Sequence, residues 1–165
     1  ARAFVLYSLA EFQAGGATTI RVTRCGRDFS ISDDGRGHPL DKSVEGVSYL
    51  RFIYTHFEYP FEAVKGAPIQ LQGIGMSLIN ALCDELTLTV RKQHETLTLT
   101  CRGGQIADTQ RVPAVNGETG LTVSAPLRAD LPCADAGDDG LQDWLNSVAQ
   151  AHPAVRVFFN GHAVG

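Results

Sequence analysis

Two glycine-bearing loops carry the residue types that could handle a nucleotide. The first is Asp33-Asp34-Gly35-Arg36-Gly37-His38-Pro39, which follows a run of β-forming residues. An aspartate fixed at a strand end can accept a hydrogen bond from an exocyclic amine of a base, and the glycines leave space for a planar ring. The second is Gly73-Ile74-Gly75, which leads into the apolar, breaker-free stretch 76–83. A helix starting there has free N–H groups, and glycine lets a phosphate oxygen approach the backbone. Taken singly, neither loop is specific. A tight turn accounts for Gly73-Ile74-Gly75, and an Asp-Gly turn with solvated charges accounts for the first loop. No Gly-Lys-Ser/Thr follows either one, and the dinucleotide GxGxxG pattern is absent.

The elements that must position these loops follow from periodicity. Apolar groups at helical spacing predict a helix over 4–12, stopped by Gly15-Gly16, and others over 44–57, 76–83 and 138–151. β-branched and alternating residues predict strands at 18–23 and 28–32 around the turn Cys25-Gly26-Arg27, then at 86–92, 96–102, 105–112, 120–125 and 155–159. Residues 59–72 read as a loop. Strands clustered between helices point to an α+β fold: a two-layer α/β sandwich whose mostly antiparallel, mixed sheet has helices on one face. The open face needs polar groups, which Thr87, Thr89, Thr96, Thr98 and Thr100 provide.

Length and composition set the outer limits. A chain of 165 residues, 44% apolar and 19% charged, suits one globular domain spanning 1–165. No apolar run approaches a membrane span and no secretory signal opens the chain, so a cytoplasmic location and no membrane partner are expected. A net charge of −4 argues against direct nucleic-acid binding. Cys25, Cys83, Cys101 and Cys133 stand singly, without a CxxC pair, and read as reduced thiols; His38, His56, His94, His152 and His162 show no metal-ligand spacing and read as surface or capping residues. Tyr54, Phe57, Tyr59 and Phe61 read as core packing or loop closure, and Trp144 as the anchor of the last helix.

In order along the chain, the loops resemble a known pattern. The run 31–39 resembles the adenine-binding motif of the B subunits of type II topoisomerases. Leu71-Gln72-Gly73-Ile74-Gly75-Met76-Ser77-Leu78-Ile79-Asn80-Ala81-Leu82 resembles their lid-to-helix motif, and Thr119-Gly120-Leu121-Thr122-Val123 resembles the strand that closes their adenine pocket. The resemblance, to the GHKL ATPase superfamily with gyrase B, topoisomerase IV B and MutL, covers nearly the whole chain. It implies ATP or ADP held weakly between the helical layer and a lid. Asp33 would take the adenine amine, Gly35 and Gly37 would make room for the base, and Thr122 would support Asp33 through water. Gly73 and Gly75 would contact phosphates, with Arg36 and Pro39 at the pocket mouth.

The same resemblance marks two departures. The family's first helix carries a Glu that polarises water and an Asn that binds Mg²⁺; here Ala3 and Tyr7 stand at those places. Alanine has no proton acceptor, and a phenol is a poor ligand for a hard cation. No catalytic residue and no Mg²⁺ site are therefore expected, and ATP turnover should be weak or absent. Two alternatives stay open: a non-catalytic protein-interaction module whose pocket is filled by side chains such as Tyr7, with a protein partner the sequence does not name, and an active ATPase fragment whose first helix is read in another register. A Tyr7 directed into the pocket favours the module. The family's dimerisation arm precedes its first helix and is absent from this sequence, so a monomer or a differently built dimer is expected.

Overall fold

The computed structural model describes residues 1–44, 46–56, 76–131 and 140–165. The first helix, α1 (Arg2–Gln13), has no side-chain cap at Ala1 and no acid in its first turn, so packing must hold it. That packing comes from Phe4, Val5, Ser8 and Leu9, which form one buried stripe. Gly15, at φ 74°, lets the chain turn after the helix.

β1 (Thr19–Cys25) and β2 (Asp28–Asp33) follow as an antiparallel hairpin, Ile20 pairing with Asp33. The two-residue strands β3 (Ser43–Val44) and β4 (Val47–Ser48) form a separate hairpin leading into α2 (Tyr49–Thr55). The helix predicted over 44–57 is thus shorter, because Gly46 at φ 79° turns the chain and Ser48 caps the helix by accepting from the Arg51 N–H. The remaining elements are α3 (Met76–Ala81), β5 (Glu85–Arg91), β6 (Glu95–Arg102), β7 (Gln105–Pro113), β8 (Gly120–Pro126), α4 (Leu141–Ala151), β9 (Arg156–Phe159) and β10 (His162–Val164). β10 was not predicted; Asn160-Gly161, both at positive φ, fold it back on β9 as a hairpin.

Eight strands make one sheet in the order β10-β9-β1-β2-β8-β5-β6-β7. Among the described residues only the β1–β9 contact is parallel, so the sheet is mixed and mostly antiparallel, as predicted. Alternation sorts its faces. Ile31, Leu86, Leu88, Val90, Leu97, Leu99, Leu121 and Val123 are buried in the core with the helical residues Val5, Tyr54 and Leu145, while Ser30, Ser32, Thr87, Thr89, Thr98 and Thr122 line the other face. This is the α+β sandwich the pattern predicts. Cys25, Cys83 and Cys101 are free thiols. Among the described residues no helix is long and apolar enough to cross a membrane.

Candidate functional site

Asp33 ends β2 on the side of the sheet that faces the helices, continuing the inward alternation of Phe29 and Ile31. Its side chain is 5% exposed. A carboxylate buried without partners would cost several kcal/mol, so its donors matter. Ser8 on α1 donates its hydroxyl to Oδ2 at 2.7 Å, and the Gly35 and Leu121 N–H groups donate to Oδ1 at 3.0 and 3.3 Å. A carboxylate offers about four acceptor positions. These three donors fix its plane and leave one acceptor position, on Oδ2, without a hydrogen bond among the described residues.

The loop after Asp33 is braced on every side. Asp34 accepts from the Thr18 and Thr19 N–H groups at 2.6 and 2.8 Å, tying the loop to the start of β1. Lys92 Nζ donates to the Arg36 and Gly37 carbonyls at 2.7 and 3.1 Å, and Arg91 Nη2 donates to the Asp33 carbonyl at 3.3 Å. Gly35 is required because a Cβ there would lie 2.6 Å from Glu11 Cγ and 3.0 Å from Asp33 Oδ1. Gly37, at φ 66°, crosses the strand ends so closely that a Cβ would meet the Gly120 carbonyl oxygen and Val90 Cγ1, each at 3.0 Å.

Arg36 turns outward and pairs with Glu11, Nε to Oε1 at 2.7 Å and Nη2 to Oε2 at 3.1 Å; the Arg36 N–H also donates to Oε1. The Arg36 side chain is 66% exposed and the Glu11 side chain 15%. The hydrogen bond from Arg36 holds the Glu11 carboxyl below its ordinary range despite partial burial. Pro39 is half-buried beyond the pair.

Tyr7 lies one helical turn before Glu11, on the same side of α1. It is half-buried and packs against the core. Its hydroxyl meets His38 Nδ1 at 2.8 Å, with ring centroids 4.8 Å apart, and His38 Nε2 meets the Tyr54 hydroxyl at 3.3 Å. His38 was expected at the surface and is instead fully buried. Two phenols satisfy both ring nitrogens, which is what lets an imidazole sit there. Burial first, then the charge of Lys92, pulls its pKa down to about 4, so the ring is neutral near pH 7. Burial likewise pushes the Tyr7 phenol up. Tyr54 is a core residue.

The structure therefore brings Asp33, Gly35, Arg36 and Gly37 into one loop, with Pro39 at its end. It does not bring Thr122 to Asp33. In the β2–β8 register Asp33 pairs with Leu121 and Ser32 with Thr122, so the Thr122 side chain lies on the opposite face and accepts from Arg91 Nη1 at 2.7 Å. The strand residue touching the carboxylate is Leu121, through its backbone. Gly73 and Gly75, and the loop 59–72, lie outside the described residues, as do Phe57, Tyr59, Phe61 and Cys133. Sequence reasoning missed Ser8, Arg91, Lys92 and the role of Glu11. A hydroxyl inside an apolar helical stripe was the available signal for Ser8, and two consecutive cations at a strand end for the others. A cavity of about 460 Å³ is at the other end of the strands, around Thr23, Ser30, Thr87 and Ser124.

No family model matches the sequence. Among curated proteins, the B subunit of DNA topoisomerase 4 from Mycoplasma genitalium is 31% identical over 124 residues, 71% of this chain and 19% of that protein. The DNA gyrase B subunit of Caulobacter vibrioides is 29% identical over 135 residues, 77% of this chain and 15% of that protein. The chain thus spans at most about a fifth of these relatives. Among solved structures, the topoisomerase IV ATP-binding domain of Francisella tularensis in complex with a small-molecule inhibitor superposes with a TM-score of 0.78 at 20% identity, covering 98% of this chain and 79% of that one. The 43K ATPase domain of Thermus thermophilus gyrase B in complex with an aminocoumarin gives 0.76 at 22% identity, covering 98% and 43%. These structures share the fold, and the sequence matches supply the kinship: the chain belongs to the GHKL superfamily, beside the ATP-binding domains of gyrase B and topoisomerase IV B.

Proposed function

We propose that this domain binds the adenine moiety of ATP or ADP at the Asp33 loop and turns the nucleotide over negligibly. The observation that carries the reading is the Asp33 carboxylate, buried, held by three internal donors and left with one acceptor position. Arg36 and Pro39 flank the entry, and Gly73 and Gly75 are the proposed phosphate contacts. Thr122 has no part in it.

The case against hydrolysis rests on chemistry. Ala3 offers no base. Glu11, the only acid on α1, is engaged at both oxygens by Arg36 and is not free to polarise water. Mg²⁺, which the family resemblance implies, needs compact oxygen donors in octahedral array. Tyr7 presents a neutral phenol already bound to His38, so the donor set does not fit the ion and no step is assigned to it.

A second reading has its own observation. Tyr7 lies against His38 beside the Asp33 loop, as expected of a protein-interaction module whose pocket is filled. Isothermal titration of ATP and ADP, with and without Mg²⁺, into the domain and its Asp33→Ala variant separates the two. The nucleotide reading expects saturable binding, indifferent to Mg²⁺, that Asp33→Ala weakens by a hundredfold or so, about 3 kcal/mol. Absence of binding at millimolar nucleotide would overturn it in favour of the module. Which protein such a module would meet, and whether the domain works as a monomer or dimer, are separate questions for cross-linking and light scattering. Direct nucleic-acid binding is not part of either reading, given the net charge of −4.

A further inference from the structure

A second cavity, of about 220 Å³, lies between α2 and the β6–β7 hairpin. Its walls include Leu50 from α2, Leu97 and Leu99 from β6 and Ile106 from β7; Leu50 is 5% exposed and the two strand leucines 3%. An apolar cavity of roughly 150 Å³ suffices for benzene, so this one has room for a ring or a short alkyl chain. Ser48 and Thr109 also line it, together with two arginines: Arg51 follows Leu50 on α2, and Arg111 pairs with Leu97 in the β6–β7 register.

Among the described residues the two arginines leave most of their donors without internal partners. Among the described residues the Arg51 guanidinium makes no hydrogen bond, and Arg111 uses Nη1 alone, in an ion pair with the half-buried Glu95 at 3.2 Å. A guanidinium carries five N–H donors and favours two-point contact with a carboxylate. Apolar walls with cations at their margin are complementary to a ligand that is apolar at one end and anionic at the other. Neither a neutral apolar molecule nor a small hydrated anion would satisfy both parts.

We propose that this cavity binds a small amphipathic carboxylate, an alkanoate or aryl carboxylate, with its apolar body against Leu50, Leu97, Leu99 and Ile106 and its carboxylate between Arg51 and Arg111. Leu40, which follows Pro39, also lines the cavity; the proposal does not depend on the nucleotide reading.

The probe is octanoate, below its aggregation concentration, titrated into the whole domain by calorimetry, with 1-octanol as the uncharged counterpart. Saturable octanoate binding is expected, weaker by about tenfold for each of Arg51→Gln and Arg111→Gln, and weaker by at least as much for 1-octanol. Ile106→Trp, which fills the cavity, should abolish it. Both arginine side chains lie at the surface, so those variants keep the test valid where the tryptophan variant fails to fold; thermal melts verify folding. Equal binding of octanoate and octanol, indifference to both arginine substitutions, or no binding would each overturn the proposal.

Discussion

At the scale of single residues, the site is defined by how far each group is committed before a ligand arrives. Asp33 keeps one acceptor position because Ser8, Gly35 and Leu121 take the others. Tyr7 keeps none of the hard-oxygen character a divalent cation requires, since its phenol is protonated and bound to His38. On the proposed reading, in which ATP binds without Mg²⁺, the double variant Ala3→Glu/Tyr7→Asn should create a dependence on the ion, raising ATP affinity on the order of tenfold with it present. It gives up the Tyr7–His38 bond, at about 1 kcal/mol of stability. Calorimetry with and without Mg²⁺ checks this; identical affinities in the double variant would show that those two positions are not what separates this site from a metal-dependent one. That Asp33, Gly35 and Gly37 would share one loop was legible in the sequence because they follow one another there. Two of the groups holding Asp33 are backbone N–H groups, which no residue type announces. Thr122 was misjudged for the same reason: alternation along a strand moves neighbouring side chains to opposite faces, and the strand's contact with Asp33 passes through the main chain of Leu121.

At the scale of elements, long periodic segments declared themselves and short ones did not. β5, β6 and β8 alternate buried and half-buried residues over seven or eight positions, so their faces could be read directly. The β3–β4 hairpin offers two residues per strand, too few for any period, and it shortens the helix predicted around it. Where β8 begins, one residue joins sheet and site. Gly120 has φ 144°, and a Cβ on it would collide with the Asp33 carbonyl oxygen and come within 2.9 Å of Arg91 Nη2. Both contacts are in the layer that fixes the Asp33 loop, and the colliding atom is backbone, which cannot rotate away. Gly120→Ala should consequently cost roughly 3 kcal/mol or more in urea denaturation, whereas Glu118→Ala, exposed two residues earlier, should stay within about 0.5 kcal/mol. Equal midpoints for Gly120→Ala and the parent would mean that the β2–β8 junction is loose, and with it the brace on Asp33.

At the scale of the whole molecule, the buried polar groups add directed links between parts that the apolar core already packs together. Tyr7 of α1, His38 of the loop and Tyr54 of α2 form one hydrogen-bonded chain, and Asn80 of α3 extends it by donating Nδ2 to the Tyr54 carbonyl at 2.9 Å. Two helices and the Asp33 loop thus meet at an imidazole, with α3 joined through the Tyr54 main chain; the sequence presented that imidazole only as an unclustered histidine, because burial depends on residues distant along the chain. This arrangement makes stability depend on pH in a definite direction. With the folded pKa near 4 and the ordinary value 6.5, the unfolded chain binds a proton between those limits that the folded chain refuses. Stability then falls as pH is lowered from about 6.5 toward 4, the loss from this group approaching roughly 3 kcal/mol at the bottom of the window, and it is unaffected above about pH 7. His38→Gln removes the titrating group while keeping a polar side chain between the two phenols. It should be less stable than the parent at pH 7.5, yet should lose less on acidification to pH 4.5, a difference that urea titrations at the two pH values would read. Parallel losses in parent and variant would place the acid sensitivity elsewhere and would mean that the imidazole is protonated inside the fold, with Tyr7 and Tyr54 both accepting from it.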